Sequence, residues 1–368
     1  MGTHSIRHSY LRRLELLRQR LRKAGASAIL VTHPPNVYYL CGFTGDSGAL
    51  LVENSRLTLY TDGRFRIQAR EESRGARVEI VRVSPPVAAG AALGGRRRPL
   101  ECAYEDDRVT VAQLAGMRKH AGPSVRWLRL GGAVEALRVV KDAGEIRFMR
   151  DAAALASRVV AEVIELIRPG MRECEVAAEI DYKLRRGGAS GTSFETIVAS
   201  GPRSALPHAR PTGKVLARNE LVVLDLGAIL RGYSSDLTRT VYLGRAPKEI
   251  RRWYGAVVEA QAAAREVIRA GVAGGEVDAA ARGVLERAGL GRYFVHSTGH
   301  GLGLEVHENP RLAREQKNTL PAGSVVAVEP GVYVPGRGGI RLEDDVLVLE
   351  KGCEVLTTAS RDLIEISA

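Results

Sequence analysis

The chain has 368 residues, of which 45 % are hydrophobic and 26 % charged, and this length and balance predict two globular domains of unequal size. No apolar run approaches the ~18–20 residues that a membrane-spanning helix needs. The start, from Met1 to Arg13, is polar and arginine-rich and lacks the apolar stretch of a secretory signal. We therefore expect a cytoplasmic protein that makes no contact with a membrane.

The net charge of +12 raises the question of nucleic-acid binding. The arginines are dispersed, however, and the only tight basic run is Arg96-Arg97-Arg98. No aromatic-rich recognition module accompanies that run, so the pattern indicates a solvated basic surface and no nucleic-acid partner. The four cysteines are widely spaced without a CxxC pair, which favours neither a zinc knuckle nor a disulfide framework.

The first third of the chain alternates short helical and strand patterns. Leu14, Leu17 and Leu21 recur at helical spacing, and Gly25 follows as a stop signal. Such alternation predicts an α/β domain. The further predicted elements are strands at Ala28–Thr32, Gly48–Glu53 and Leu57–Thr61, a helix at Phe65–Glu72 and a loop between Pro85 and Pro99.

A long alanine-rich helical pattern from Val134 to Ile167 is interrupted near Lys141–Gly144. A break in a long helical pattern is a natural place for a domain boundary, which we put close to residue 140. The sequence therefore predicts a first domain over 1–138 and a second over 139–368.

The second domain contains an internal repeat. The twelve residues Ile167–Ala178 resemble Ile268–Ala279, and the match runs without a gap to Gly188 and Gly289. Chance similarity between two amphipathic helices is the alternative explanation. Duplication would give each half a helix followed by strands, and would favour a pseudo-symmetric domain with a site between its halves.

Two aspartates lie within a predicted hairpin, Leu221–Leu243. If its turn centres on Leu230-Arg231, Asp225 lies directly opposite Asp236, and a slip of two residues makes them diagonal neighbours. Facing residues stand ~5 Å apart at Cβ, where like charges destabilise a hairpin. The pair therefore indicates a bound cation, a shared proton as in a carboxylate dyad, or a turn placed wrongly.

Further candidate ligands follow downstream. The glycine-rich segment Thr298–His307 brings two histidines into a stretch whose backbone can approach a ligand closely. Glu329 ends the apolar run that starts at Ser324, and strand alternation over Gly339–Val348 puts Arg341 and Glu343 on one face. Taken singly, each has an ordinary structural explanation, such as a core histidine or an exposed strand face.

From Val222 to Val346 the chain resembles the pita-bread metallopeptidases, which include aminopeptidase P, prolidase and methionine aminopeptidase; creatinase shares the fold without being a peptidase. In those peptidases five residues hold two metal ions, and all five motifs are present here in the expected order. The resemblance implies that the metal ligands are Asp225 in LDLG, Asp236 in SSDLTRT, His300 in TGHGLGLEVHE, Glu329 in VEPG and Glu343 in IRLEDDV.

The charge of this ligand set agrees with two metals. Four carboxylates and a neutral imidazole carry −4, which two divalent cations balance and one leaves at −2. Oxygen-rich ligands with one imidazole suit Mn²⁺, and Co²⁺ or Zn²⁺ could substitute. The resemblance implies that Asp236 and Glu343 bridge the metals, that Asp225 holds one and His300 with Glu329 the other, and that Glu329 accepts a proton.

Other motifs match the proline-specific members of this family. His208 in SALPHARPT, His296 in VHSTGHG and His307 in VHE fall where those members place active-site histidines. Histidine can polarise a carbonyl or shuttle protons near neutral pH. Arg341 resembles the arginine that orients a bridging carboxylate, and Tyr333 resembles a substrate-binding tyrosine of the cleft. For these last two positions plain packing is the alternative.

The first domain narrows the resemblance. Asn36–Gly45 and Leu59–Phe65 resemble the amino-terminal domain of aminopeptidase P, prolidase and creatinase, which methionine aminopeptidase usually lacks. We expect a creatinase-like α/β domain followed by a duplicated pita-bread domain of mixed α/β structure. The predicted function is an Xaa-Pro aminopeptidase acting on peptides, with an Xaa-Pro dipeptidase (prolidase) as the alternative and a metal-free binding protein as a distant one. Since first domains in this family commonly pack together, we also expect a homodimer.

Overall fold

The computed structural model describes the backbone of residues 3–95 and 99–367, and the side chains from residue 9 onward within those ranges. The basic run Arg96-Arg97-Arg98 lies outside the described residues. The chain divides into two units, Met1–Arg138 and Val139–Ala368. Among the helices described, none combines the length and the apolar character that a bilayer crossing requires.

The first unit is built on one six-stranded sheet with helices in the connections. Its elements in chain order are α1 Thr3–Lys23, β1 Ala28–Val31, α2 Pro34–Cys41, β2 Gly48–Glu53, β3 Leu57–Asp62, a 3₁₀ turn Gly63–Phe65, α3 Arg66–Glu72, β4 Arg77–Val81, α4 Pro85–Leu93, β5 Leu100–Tyr104, α5 Val111–Ala121, β6 Val125–Arg129 and α6 Glu135–Arg138. The strand order is β4-β3-β2-β1-β5-β6. β2 runs antiparallel to both β1 and β3, and the outer pairs are parallel.

Most predicted elements of this unit are confirmed, and one is wrong. Leu14, Leu17 and Leu21 are buried along α1, as their spacing requires. The predicted loop between Pro85 and Pro99 instead contains α4. Proline fits the first turn of a helix, where its missing N–H would have no partner, and the alanine-rich residues after Pro85 then continue the helix until Gly94.

The second unit contains four long helices and several small sheets. Its elements are α7 Ala143–Leu166, α8 Glu173–Arg186, β7 Gly191–Thr192, β8 Ile197–Ser200, a 3₁₀ turn Gly201–Ala205, β9 Glu220–Leu226, β10 Ala228–Leu230, β11 Tyr233–Ser234, β12 Leu237–Leu243, α9 Lys248–Val267, α10 Gly274–Arg287, a 3₁₀ turn Gly291–Tyr293, β13 Gly299–Gly301, β14 Glu308–Leu312, β15 Val325–Val328, β16 Gly331–Val334, β17 Gly338–Arg341, β18 Asp344–Val348, β19 Cys353–Val355 and β20 Ile364–Ile366.

The second unit confirms the repeat. The starts of α8 and α10, Glu173 and Gly274, and their ends, Arg186 and Arg287, are separated by the same number of residues. In the first half, α7 and α8 pack on the four-stranded sheet β20-β12-β9-β8. In the second half, α9 and α10 pack on the five-stranded sheet β14-β13-β15-β18-β19. A helix pair on a sheet is thus the unit that was duplicated.

The hairpin adopts the second of its two expected registers. Leu230 pairs with Tyr233, so the turn is Arg231-Gly232, and both turn residues have positive φ, 51° and 83°. That combination matches the right-handed twist of the strands, and glycine takes it without strain. Asp225 therefore pairs with Thr238, and Asp236 is its diagonal neighbour.

The sequence predicted one strand over Gly339–Val348, but the structure has two strands in this segment. β17 ends at Arg341 and pairs with β16, whereas β18 begins at Asp344 and pairs with β15. Glu343 lies in the short break between the two strands. The two consecutive strands belong to different sheets. The alternation of side chains along one strand carries no information about such a change of sheet.

Candidate metal centre

The five residues expected to bind metal come together in one cavity of about 280 Å³ in the second unit. Each stands at or beside a strand end, where side chains from two sheets can converge. Asp225 is on β9 and Asp236 directly precedes β12, while His300 is on β13. Glu329 follows β15, and Glu343 lies between β17 and β18. The fold thus brings together in one cavity residues that lie far apart in the sequence, in both halves of the repeat.

The ligand atoms of three of these residues are close together. One atom each from Asp236, His300 and Glu343 lies within 4.8 Å of the others. Nε2 of His300 is 3.7 Å from Oδ2 of Asp236 and 3.5 Å from Oε1 of Glu329. These separations are too long for hydrogen bonds but suit groups that share a cation between them.

The protonation state of His300 follows from its hydrogen bonding. Its Nδ1 lies 3.1 Å from the carbonyl oxygen of Gly301, which can only accept, so Nδ1 carries the proton. Burial, with the nearby His307, lowers the pKa of His300 to about 4. At neutral pH the ring is therefore neutral, and the lone pair of Nε2 faces the carboxylates. A metal ion requires this tautomer.

The carboxylates are in an unfavourable environment without a cation. Burial, together with their mutual repulsion, raises the pKa of Asp236 and of Glu343 well above the ordinary range. Burial also raises the pKa of Glu329 to about 7. Oδ1 of Asp225 and Oδ1 of Asp236 are buried and have no hydrogen-bond partner among the residues that the structure describes. Unpaired buried oxygens of this kind fit divalent cations.

Arg341 is linked by hydrogen bonds to two of the expected metal ligands. Its Nη2 donates to Oδ2 of Asp225 at 2.6 Å, and its Nε donates to Oγ1 of Thr238 at 3.1 Å. Thr238 in turn donates to Oε2 of Glu343 at 2.6 Å. One guanidinium therefore fixes two carboxylates that arrive from different sheets, one directly and one through a hydroxyl.

His296 and Tyr333 form a chain of hydrogen bonds with Arg341, and Nδ1 of His296 lies 4.0 Å from Oε2 of Glu329. Nη1 of Arg341 donates to the Tyr333 hydroxyl at 2.8 Å, and that hydroxyl lies 2.8 Å from Nε2 of His296. Nδ1 of His296 lies 2.8 Å from the carbonyl oxygen of Ser297 and must donate to it. Burial, with the Arg341 charge, lowers the pKa of His296 to about 4.

His208 and His307 do line the cavity, as expected. The ring of His307 packs edge-on against His300, with the ring centroids 4.4 Å apart. Burial, with the charge of Arg311, lowers the pKa of His307. Arg210, which sequence reasoning missed, also lines the cavity. Its only sequence signal is its position two residues after His208.

Several supporting residues were also missed. Asp278 on α10 accepts from the backbone N–H and hydroxyl of Thr298 and pairs with Arg282, whose Nη2 donates to the carbonyl of His296. Asp345 accepts from the backbone N–H of Asp236. Alternation from Asp236 along its strand points to Thr238, and Asp345 belongs to the IRLEDDV motif, two residues after Glu343. Nothing in the sequence links α10 to the site.

Two family models match the chain. The model described as Metallopeptidase family M24 matches residues 147–350, and the Creatinase/Prolidase N-terminal domain matches residues 13–140. Together with the duplicated helix-and-sheet unit and its buried carboxylates, these matches define a pita-bread metallopeptidase with a creatinase-like amino-terminal domain. The chain belongs to metallopeptidase family M24; it is therefore an enzyme that acts on peptides with the help of divalent metal ions.

Similar proteins include both dipeptidases and an aminopeptidase. A protein named Xaa-Pro dipeptidase from Pyrococcus furiosus is 34 % identical over 353 residues, covering 96 % of this chain and 99 % of its own. The structure of an Xaa-Pro dipeptidase from Bacillus anthracis superposes with a TM-score of 0.92 at 36 % identity, covering 97 % of this chain and 100 % of its own. That of an X-Pro aminopeptidase from Thermotoga maritima gives 0.87 at 35 % identity, covering 94 % and 100 %.

Proposed function

We propose that the protein is an Xaa-Pro dipeptidase, which releases free proline from dipeptides. The sequence alone favoured an Xaa-Pro aminopeptidase, but the relatives support the alternative better. Curated relatives from two Pyrococcus species, matched over nearly their whole length, carry the name Xaa-Pro dipeptidase. This agreement is the observation that carries the proposal.

The walls of the cavity suit a proline ring. Phe194, Ile197 and Val306 line it alongside the charged groups. An Xaa-Pro bond is a tertiary amide without an N–H, so a site that accepts it must rely on shape and on contacts to the carbonyl. The volume of about 280 Å³ is near the lower end of the range for small-molecule sites, which agrees with a dipeptide.

A dipeptidase must also bind the free carboxylate of the proline, and Arg210 is a candidate for this contact. Its Nε is 3.0 Å from Oε2 of Glu195, and the two side chains are 81 % and 60 % exposed. An ion pair so exposed contributes about 0–1 kcal/mol, so a substrate carboxylate can replace Glu195 at low cost. Arg311 lies opposite His300 in the antiparallel pairing of β14 with β13, and its side chain is a second candidate for binding the substrate carboxylate.

The metal centre is proposed to hold two divalent ions, with Mn²⁺ as the preferred metal and Co²⁺ or Zn²⁺ as substitutes. Asp225, Asp236, His300, Glu329 and Glu343 would hold them. When bound, these ions would polarise the scissile carbonyl and lower the pKa of water toward neutrality. The buried, unpaired oxygens of Asp225 and Asp236 support this assignment.

The remaining roles fall to the side chains of the cavity. Glu329 is proposed to accept the proton of the attacking water, as the resemblance implies, and its Oε1 lies 3.5 Å from Nε2 of His300, beside the other proposed ligands. His208 and His307 are proposed to orient the carbonyl of the substrate. Arg341 is proposed to hold Asp225 in place. His296 is proposed to act in catalysis and Tyr333 to bind the substrate, as the resemblance implies, and their hydrogen bonds also help to position that arginine.

Three further properties are proposals of the same kind. The amino-terminal creatinase/prolidase-like domain is assigned to 1–138 and the catalytic domain to 139–368, and the family matches support a boundary near residue 140. The location is proposed to be cytoplasmic. A homodimer is proposed because the first domains of this family commonly pack together. Light scattering at micromolar concentration would test this proposal, and a fully active monomer would contradict it.

The decisive experiment compares Ala-Pro, Ala-Pro-Ala and Ala-Ala-Ala as substrates, with manganese present. We expect Ala-Pro to be hydrolysed with the largest kcat/KM, by about tenfold or more over the tripeptides. Preference for Ala-Pro-Ala would return the assignment to an Xaa-Pro aminopeptidase, which the 35 % identity to the Thermotoga enzyme also supports. Preference for Ala-Ala-Ala would remove the specificity for proline.

A further inference from the structure

The carboxylate of Glu173, at the start of α8, is fully buried and gathers donors from a distant segment. Its Oε1 accepts from the backbone N–H and the hydroxyl of Ser200, both at 2.9 Å. Its Oε2 accepts from the backbone N–H of Thr212 at 3.1 Å and from the hydroxyl at 2.8 Å. Nε of Arg203 donates to Oε2 at 3.0 Å. These donors come from both ends of one loop.

That loop carries two residues of the cavity. It runs between Ser200 and Thr212, and His208 and Arg210, in its second half, line the site. A cross-link closes it, since Nη2 of Arg203 donates to the carbonyl of Arg210 at 2.6 Å. The loop is therefore fixed at its two ends by one carboxylate and across its base by one arginine.

The electrostatics favour a charged carboxylate at this place. Burial by itself would raise the pKa of Glu173, but the hydrogen bonds from Thr212, Ser200 and Arg203 together hold it below its ordinary value. Hydrogen bonds to an ionised acceptor are about twice as strong as neutral ones, and loss of their common acceptor would leave several buried donors unpaired. A buried, fully satisfied network of this kind makes a loop rigid.

The other half of the repeat shows that the helix start itself does not require a carboxylate. The equivalent of Glu173 at the start of α10 is Gly274. A Cβ there would overlap the backbone oxygen of Arg311, so β14 packs directly on the helix end without any side chain between them. The start of the second helix thus packs directly on a backbone segment in one half of the repeat, and in the other half it binds a loop through a carboxylate. The carboxylate occurs in the half whose loop carries His208.

We propose that Glu173 is a positioning residue, which sets the places of His208 and Arg210 in the cavity by holding both ends of the loop between Ser200 and Thr212. This inference rests on the proposed function, because it takes the substrate contact of His208 from it. Glu173 acts only through the loop and touches neither the substrate nor the proposed metal ligands.

The test is a double-mutant cycle on Ala-Pro hydrolysis with Glu173→Gln and His208→Ala. Gln keeps the shape, but its amide nitrogen opposes the donors that now point at a carboxylate oxygen. We expect Glu173→Gln to lower kcat/KM by about tenfold or more in the natural background. When His208 is already alanine we expect a clearly smaller loss, because only the part of the effect that passes through Arg210 then remains. Equal losses in both backgrounds would overturn the proposal, because the effect would then not pass through His208.

Hydrogen–deuterium exchange gives a readout that is independent of activity. In Glu173→Gln we expect faster exchange confined to residues 200–212, with an unchanged metal content. Glu175→Gln is the matched control: it removes the same charge two residues away, where the carboxylate caps the backbone N–H of Arg172 and does not reach the loop. Unchanged exchange in Glu173→Gln, or an equal change in the control, would overturn the proposal.

A second variant, Thr212→Val, keeps the proposal testable if Glu173→Gln does not fold. Thr212→Val removes one hydroxyl donor and keeps the charge, so it should give a smaller loosening of the same segment; unchanged exchange there would overturn the proposal. If the unmodified protein hydrolyses no Xaa-Pro substrate, the proposed function fails, whereas the exchange experiment still reports on Glu173. The two failures are therefore distinguishable.

Discussion

Arg341 and Asp225 form a buried ion pair, with Nη2 of the arginine 2.6 Å from Oδ2 of the aspartate. The pair occupies only one oxygen of the carboxylate, and the other oxygen is left buried without a hydrogen bond among the described residues. An aspartate that is neutralised and held from one side presents its free oxygen in a fixed direction. This is the arrangement that a metal ligand needs.

Arg341→Lys should lower kcat/KM by about tenfold to a hundredfold although it keeps the positive charge. A lysine cannot reach Asp225, Thr238 and Tyr333 together, because these contacts use separate nitrogens of one planar fork. Steady-state kinetics with Ala-Pro would measure the loss. The matched control is Arg337→Lys on the exposed turn between β16 and β17, which should retain full activity; a similar loss in both variants would contradict the explanation.

Asp236→Asn should lower activity by more than about a hundredfold while the protein stays folded. Asp236 is buried, lies 3.7 Å from His300 at its Oδ2, and has a second oxygen without a hydrogen-bond partner in the described structure. Loss of its charge should also reduce the bound metal measured by elemental analysis. Asp151→Asn, on the exposed side of α7, serves as the control. Near-normal turnover with full metal content in Asp236→Asn would show that the ligand assignment is wrong.

Tyr333→Phe should lower kcat/KM by about tenfold without loss of metal. The hydroxyl receives a hydrogen bond from Arg341 and donates to Nε2 of His296, so its removal leaves a buried acceptor unpaired at a cost of about 1–3 kcal/mol. Tyr254→Phe removes another buried hydroxyl, which bonds to the carbonyls of Arg361 and Asp362. That control should lose stability but keep its kinetics. Equal activity of both variants would exclude a role for the Tyr333 hydroxyl.

Metal removal should make stability depend on pH in a particular direction. In the metal-free protein burial raises the pKa of Glu329 from 4.5 to about 7. The folded protein holds this proton more tightly than the unfolded chain does, so the group stabilises the fold fully at pH values below its pKa in the unfolded chain, 4.5. This contribution to stability is lost as pH rises through about 7. The loss from this group is on the order of 3 kcal/mol, and Asp236 and Glu343 act in the same direction.

Bound metal replaces those protons, so the metal-loaded protein should not show this loss. We therefore expect the difference in Tm between the loaded and the chelated protein to widen from about pH 5 to about pH 8. Calorimetry of both forms in matched buffers would measure it. A constant difference over this range would contradict the proposed crowding of carboxylates at one site.

Local patterns in the sequence predicted many elements because their causes are local. The helical spacing of leucines gave α1, and the repeated residues gave α8 and α10 at equivalent positions. One local prediction was wrong for a reason that is also local: Pro85 begins a helix instead of excluding one. The hairpin took the second of its two expected registers, with its turn at Arg231-Gly232, where both residues have positive φ.

The sequence by itself thus determined the two-part organisation, the duplication and the residue types of the site, since spacing and motif are properties of the chain alone. Only the tertiary structure decided which atoms meet. Asp225 and Arg341 lie far apart in the chain, and their contact depends on the packing of β9 against β17, for which no local pattern exists. The same holds for Glu173, which resembles an ordinary helix-start residue in sequence. Its function in the fold depends on a loop that returns to it only when α8 packs against β8, because burial and hydrogen bonding between distant segments arise from the whole fold.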